Sequence, residues 1–146
     1  MLSSEQQWWR TRQRVRQRVR TVVDRRRDED KLQSTLVGFL NAVLRDRLVF
    51  AIPNGSRRLP GGRAANAVPG LMPGFPDLGV ALLHGRVLWL EAKTDDGRLS
   101  EQQLRVHKLL RDLGHAVEVV RSVEDTRAAL HRHKVPTREA LNAVYS

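Results

Sequence analysis

The pattern of apolar and polar positions divides the chain into alternating helical and extended segments. Residues 30–46 place apolar side chains at the spacing of one helix face, and so do 100–113 and 123–133. Shorter apolar runs that are typical of strands occupy 48–54, 77–83, 87–93 and 116–122. With a basic helix over 4–28, the order is α-α-β-β-β-α-β-α, and a last short helix is expected after Thr137. This order predicts an α/β fold with a mixed central sheet flanked by helices.

Glycine and proline mark the connections between these segments. Pro53 ends the first predicted strand, and the Gly- and Pro-rich residues 55–76 are predicted to form a loop. The sequence predicts a basic helical arm over 1–28, a folded domain over 29–134 and a short helix or tail over 135–146.

The charge of the chain is strongly basic and unevenly distributed. The net charge is +10 and the sequence pI is about 11.4, which favours a polyanionic partner. Residues 1–28 hold nine arginines against three acidic residues. The arm is therefore expected to contact DNA phosphates, with Arg16 and Arg20 as candidates, or to form a dimerisation helix, or simply to be a solvated helix that packs on the domain.

Composition excludes several other kinds of protein. The chain contains no cysteine, so disulfides and thiolate metal sites are excluded, and its histidines show no zinc-ligand spacing. No apolar run has the length of a membrane span, and the N-terminus lacks the apolar region of a signal peptide. The expectation is a cytoplasmic or other intracellular protein, not secreted, of bacterial or viral origin, with no membrane partner.

Three charged residues interrupt an otherwise apolar hairpin. Asp77 follows Pro76 at the start of one predicted strand, and Glu91 and Lys93 lie two apart on the next. Residues two apart on a strand face the same side, and burying charges there is costly unless they are paired or bind an ion. An ion pair at the end of an edge strand is the structural alternative.

The register of the hairpin decides whether Asp77 joins the other two. A two-residue turn at His84-Gly85 would direct Asp77 away from Glu91. A three-residue loop, His84-Gly85-Arg86, would pair Asp77 with Lys93 and put all three side chains on one face. Only the second arrangement gives two carboxylates suited to Mg²⁺ or Mn²⁺, beside a lysine that offsets charge on a phosphate.

The blocks "IPNGSRR", "MPGFPDL", "LWLEAKTDDGRLSEQQ" and "LGHAVEVVRSVEDTRAAL" resemble, in this order, the VRR-NUC family of PD-(D/E)xK nucleases. The resemblance extends over about 30–131. It implies a restriction-endonuclease-like core and Mg²⁺- or Mn²⁺-dependent cleavage of DNA. Asp77, Glu91 and the carbonyl of Ala92 are implied to bind the metal, and Lys93 is implied to be the catalytic lysine.

Two further family positions are less regular here. Gln103 matches the family glutamine after "GRLS", although Ser100 and Gln103 also form a helix-capping box that would explain it alone. Family members carry a glutamate in the first helix of the domain, and here either Glu29 or Asp30, or neither, could fill that position.

Other residues have weaker indications. Arg57, Arg58 and Arg63 in the long loop are expected to contact phosphates or to be solvated loop charge. Trp8 and Trp9 are expected to pack along a helix seam rather than stack on bases. Trp89, on the face of Glu91, is expected to form a wall of the site.

Two classes of function follow. The first is a DNA endonuclease, which by resemblance to Holliday-junction resolvases would cut branched DNA as a homodimer. The second is a nonenzymatic DNA-binding or packaging accessory protein with a nuclease-like fold. The presence of the full Asp77, Glu91 and Lys93 set favours the first class.

Overall fold

A computed structural model of the protein describes residues 3–45, 48–53 and 69–139, without the side chains of positions 19 and 20. The helices and strands it contains are α1 Ser4–Val43, β1 Val49–Ala51, β2 Leu78–Ala81, β3 Val87–Ala92, α2 Glu101–Asp112, β4 Ala116–Val120 and α3 Val123–Arg132. None of the helices in these ranges is long and apolar enough to cross a bilayer.

Helix α1 is one continuous helix of 40 residues, so the prediction of separate helices over 4–28 and 30–46 is wrong. It begins at a capping box in which Ser3 and Gln6 exchange hydrogen bonds. No glycine or proline lies between the two predicted segments, and the acidic residues at their junction do not interrupt the backbone ladder. The described side chains of the first 28 residues are exposed, so within this chain Trp8 and Trp9 do not form the expected seam packing.

The four strands form one sheet in the order β1-β2-β3-β4. The first three strands are antiparallel to one another in sequence, whereas β3 pairs in parallel with β4. Helix α2 connects β3 to β4. The predicted α/β fold with a mixed sheet is confirmed. α2 starts after its N-cap Ser100 and ends before Gly114, as the sequence indicates.

The two faces of the sheet have different roles. One face packs against α1 and α3 to form the core. The core consists mainly of Leu36, Leu40, Leu78, Val80, Leu88, Leu90, Val120 and Leu130. The other face carries Gly79, Trp89 and Glu91 and is covered in part by α2. This second face holds the polar residues that the sequence singles out.

The hairpin between β2 and β3 has an odd-length loop, as predicted, but the loop starts one residue earlier. Leu83–Gly85 form a single 3₁₀ turn in which His84 and Gly85 both have positive φ. The register Leu78↔Leu90 then continues to Asp77 opposite Glu91, so the predicted pairing of Asp77 with Lys93 is wrong by two residues. Because the shift is even, the three side chains still share one face.

The remaining differences concern the ends of elements. The first strand is shorter than the predicted 48–54, and residues 55–68 of the predicted loop lie outside the described residues. The short helix predicted after Thr137 lies mostly outside them as well, although Thr137 itself bridges to Leu44.

Candidate active site

Asp77 is held at the open end of the hairpin by the loop that precedes it. Gly74, with φ of +83°, lets this loop approach the first turn of α2, because a Cβ there would lie 2.9 Å from the carbonyl carbon of Gln102. The carboxylate of Asp77 turns back to the neighbouring strand, where its Oδ2 accepts a hydrogen bond from the Ala92 backbone N–H at 2.9 Å. Asp77 is therefore fixed beside both β3 and α2.

Glu91 is the most enclosed charged group of the site. Its residue is 0% exposed, and its Oε1 accepts a hydrogen bond from Gln103 Nε2 at 2.5 Å. Lys93 Nζ lies 3.4 Å from the same oxygen. A carboxylate buried this deeply is costly in free energy unless its charge is compensated, which the lysine and the amide do in part.

Gln103 performs two structural tasks with one side chain. Its Oε1 accepts from the Ser100 backbone N–H at 2.9 Å and completes the capping box of α2. Its Nε2 donates to Glu91. The cap and the site contact, which are alternatives at the level of sequence, coexist because α2 begins against the open end of the hairpin.

Lys93 lies between two carboxylates from different elements. Besides Glu91, its Nζ is 3.5 Å from Oε1 of Glu29, and its residue is only 9% exposed. Glu29 lies on α1, which continues without a break past position 30. This part of the helix passes beside the end of β3, and Glu29 therefore reaches the site. Asp30, the other candidate acid, is exposed and lines a surface groove with Gln33, Ser34 and Val37, none of which belongs to this cluster.

His107 is a site residue that sequence reasoning missed. It is 0% exposed, and its Nε2 lies 3.4 Å from Glu91 Oε2. Neither ring nitrogen nor Glu91 Oε2 has a hydrogen-bond partner among the described residues. His107 follows Gln103 by four residues, so both face the same side of α2, and that spacing is the signal that could have found it.

The electrostatics of the cluster raise the pKa of Asp77 from 3.8 to about 6. Burial is the largest cause, followed by the negative charge of Glu91, while the Ala92 hydrogen bond and Lys93 act in the opposite direction. A carboxylate that resists ionisation beside a second carboxylate indicates a deficit of positive charge in the site.

The donor set is compatible with a hard divalent cation. Among the described residues no group of three or more His, Cys, Asp or Glu side chains is arranged to hold a metal ion. Mg²⁺ is commonly held by only one or two carboxylates, with water and phosphate oxygens completing its shell. The charge deficit at Asp77 and the unpaired Oε2 of buried Glu91 fit such a ligand.

An aromatic cluster closes the sheet face next to the site. Trp89 contacts Phe50 and Phe75 edge to face, with ring centroids 5.9 and 4.8 Å apart. Gly79 makes room for it, because a Cβ there would lie 2.4 Å from the Phe50 ring and 2.8 Å from the Trp89 ring. Trp89 lies on the face of Glu91, as the sequence predicts.

The predicted DNA contacts are only partly described. Arg57, Arg58 and Arg63 lie outside the described residues, and Arg20 is on α1 with its side chain undescribed. Arg16 is exposed on α1. A further arginine, Arg121 at the end of β4, donates to the carbonyls of Thr94 and Asp95 and so holds the turn that follows Lys93.

One family model matches most of the chain. The family described as the VRR-NUC domain matches residues 14–124, a range that contains the hairpin, α2, β4 and Glu29. A search of curated proteins finds no match. The domain points to a nuclease that acts on DNA. Since the match covers most of the sequence, the chain belongs to the VRR-NUC family.

Proposed function

We propose that this protein is a metal-dependent DNA endonuclease that hydrolyses phosphodiester bonds, with Mg²⁺ or Mn²⁺ as cofactor. The observation that carries the proposal is the convergence of Asp77 and Lys93 on the buried carboxylate of Glu91. A fold gains nothing obvious from such a cluster, since apolar side chains of similar size would often stabilise it equally well or better.

Asp77 and Glu91, with the carbonyl of Ala92, are the proposed metal ligands. Bound there, the ion would polarise the scissile phosphate and lower the pKa of a water molecule. Gln103 orients Glu91 through the hydrogen bond to Oε1, and the backbone of Ala92 orients Asp77. Both carboxylates are thus preorganised by contacts that the protein makes on its own.

Lys93 is the proposed catalytic lysine. Its Nζ lies 3.4 Å from Oε1 of Glu91 and 3.5 Å from Oε1 of Glu29. An ammonium at this position would offset the negative charge that develops on the phosphate during hydrolysis. Glu29 is proposed as the additional acid of the site, and Asp30 is not.

We propose branched DNA, including Holliday junctions, as the preferred substrate and a homodimer as the acting form. The net charge of +10 and the exposed arginines of α1 support binding to the phosphate backbone, which carries no sequence information. A two-fold pair of sites would allow two strands of a junction to be cut symmetrically.

A substrate panel tests the proposal. Labelled junction, flap, single-stranded and duplex DNA are incubated with Mg²⁺, Mn²⁺ or EDTA, and cleavage and binding are measured separately. We expect cleavage only with metal and fastest on branched DNA. Binding without cleavage under every metal condition would favour a nonenzymatic accessory protein instead.

Single substitutions test the assigned roles under single-turnover conditions. Lys93→Ala should lower the cleavage rate by about 10²–10³ and weaken DNA binding only slightly, because the lysine acts mainly on the transition state. Asp77→Ala and Glu91→Ala should also abolish cleavage, whereas DNA binding in EDTA should hold or tighten because a repelling charge is removed. Lys108→Ala, at an exposed lysine paired with Asp112, is the matched control. Cleavage by Lys93→Ala at the wild-type rate would remove Lys93 from the mechanism.

A further inference from the structure

Two adjacent tryptophans are exposed near the start of α1. Trp8 and Trp9 are 54% and 55% exposed, and their rings meet edge to face with centroids 5.0 Å apart. The guanidinium of Arg12 lies 4.8 Å from the ring centroid of Trp8 and 5.8 Å from that of Trp9. These three side chains, here called the tryptophan cluster, present two aromatic surfaces and one cation to solvent.

The cluster contributes little to the fold in which it is found. The described side chains of α1 up to position 28 are exposed, so the tryptophans do not bury their area against the sheet. Contiguous exposed patches of large apolar side chains often mark interaction sites. Tryptophan supplies more binding surface per residue than any other side chain, and it is enriched at interfaces.

Charge decides which partner fits. The cluster lies within residues 1–28, which hold nine arginines against three acidic residues. A second copy of the same segment would bring the same excess of positive charge and would be repelled, whereas a polyanion would be attracted. Nucleic acid also has flat bases that stack on tryptophan rings and on guanidinium planes.

We infer that Trp8, Trp9 and Arg12 form a second DNA-binding site that stacks on unpaired bases. The inference rests on the proposed action on DNA and names the feature of the substrate that the arm would recognise. Trp9 lies 20 positions before Glu29 on the same helix, or about 30 Å along its axis. That distance corresponds to about nine base pairs of duplex, so the site would engage unpaired DNA well away from the cleaved bond.

A binding experiment in EDTA tests the inference without cleavage. The protein is titrated with a labelled oligothymidine, with a forked duplex that has unpaired arms, and with a blunt duplex. Trp8→Ala/Trp9→Ala should bind the first two about 10- to 100-fold more weakly and the blunt duplex almost unchanged. The salt dependence should not change because no charge is removed. Alanine favours helix more than tryptophan does, and far-UV circular dichroism checks that the helix is retained.

Two control variants make the result specific to aromatic stacking. Trp8→Phe/Trp9→Phe keeps the aromatic faces and should restore binding to within a few-fold. Val15→Ala/Val22→Ala removes exposed apolar side chains of the same helix and should have little effect. Equal losses on blunt and unpaired DNA, no loss on either, or a loss that follows a change of oligomeric mass in sedimentation would each overturn the inference. Absence of metal-dependent cleavage with intact stacking would instead contradict only the proposed function.

Discussion

Replacing Asp77 by asparagine should stabilise the folded protein at pH 8 and leave its stability nearly unchanged at pH 4. The pKa of Asp77 is raised from 3.8 to about 6 in the folded state, so the folded protein binds this proton more tightly than the unfolded chain. The stabilisation that this proton contributes is fully present below about pH 3.8 and is lost as the pH rises through about 6. Above that pH an ionised carboxylate remains in an unfavourable position.

The size of the effect follows from the same shift. A change in pKa from 3.8 to about 6 corresponds to about 3 kcal/mol, and the partial contact of Asp77 with solvent reduces this to about 1–2 kcal/mol. Asparagine carries no charge and keeps an oxygen that can accept the Ala92 N–H. The Tm of the variant at pH 8 should therefore rise by about 3–8 °C.

Urea unfolding followed by far-UV circular dichroism at pH 4, 6 and 8 in EDTA measures this difference. Asp95→Asn, which neutralises an exposed acid of the turn after Lys93, serves as the matched control and should show no such trend. Under the proposed metal site, adding Mg²⁺ at pH 8 should stabilise the wild type more than Asp77→Asn, because the ion would bind only the folded protein and would need the ionised carboxylate. The reasoning would be refuted if Asp77→Asn were no more stable than the wild type at pH 8.

Other consequences can be measured independently. Deleting residues 1–28 should weaken DNA binding and reduce its salt slope by about one for each phosphate that the arm neutralises, and an unchanged slope would mean that the arm does not touch DNA. Gln103→Glu should keep the acceptor of the helix cap but place a second carboxylate against the buried Glu91, so thermal stability at pH 8 and cleavage should both fall; unchanged stability and cleavage would limit Gln103 to capping. Gly79→Ala should destabilise the fold by about 1–3 kcal/mol because its methyl group meets two aromatic rings. Gly38→Ala, where a Cβ meets nothing within 4 Å, should instead stabilise α1 by up to about 1 kcal/mol in the same unfolding assay.

It was predictable that the three charged side chains share one face, because this depends only on whether the hairpin loop has an odd or an even number of residues. Any odd-length loop between the strands puts Asp77 on the side of Glu91, whichever residues form the loop. The exact register was not predictable, because it depends on His84 adopting positive φ, which only a minority of residues other than glycine do. A local sequence pattern does not reveal that choice.

The contribution of α1 to the site required the continuous helix. Glu29 lies seven residues before Leu36, which is buried, so the two project from nearly the same side of one helix. Asp30 is rotated by about 100° from that side. While the sequence is read as two helices, nothing links the orientation of Glu29 to the core leucines, and the choice between the two acids stays open. The role of His107 was hidden for a similar reason, since it depends on how α2 is rotated against the sheet.

Because α1 is one continuous helix, its twist also fixes the direction in which the tryptophan cluster points relative to the candidate active site. Inserting one residue between Arg16 and Arg25 would turn everything before it by about 100° relative to Glu29, while adding only about 1.5 Å of length. Inserting seven residues would lengthen the arm by about 10 Å and change the angle by only about 20°. DNA binding by both sites is therefore expected to tolerate insertions of whole helical turns in this segment better than insertions of single residues.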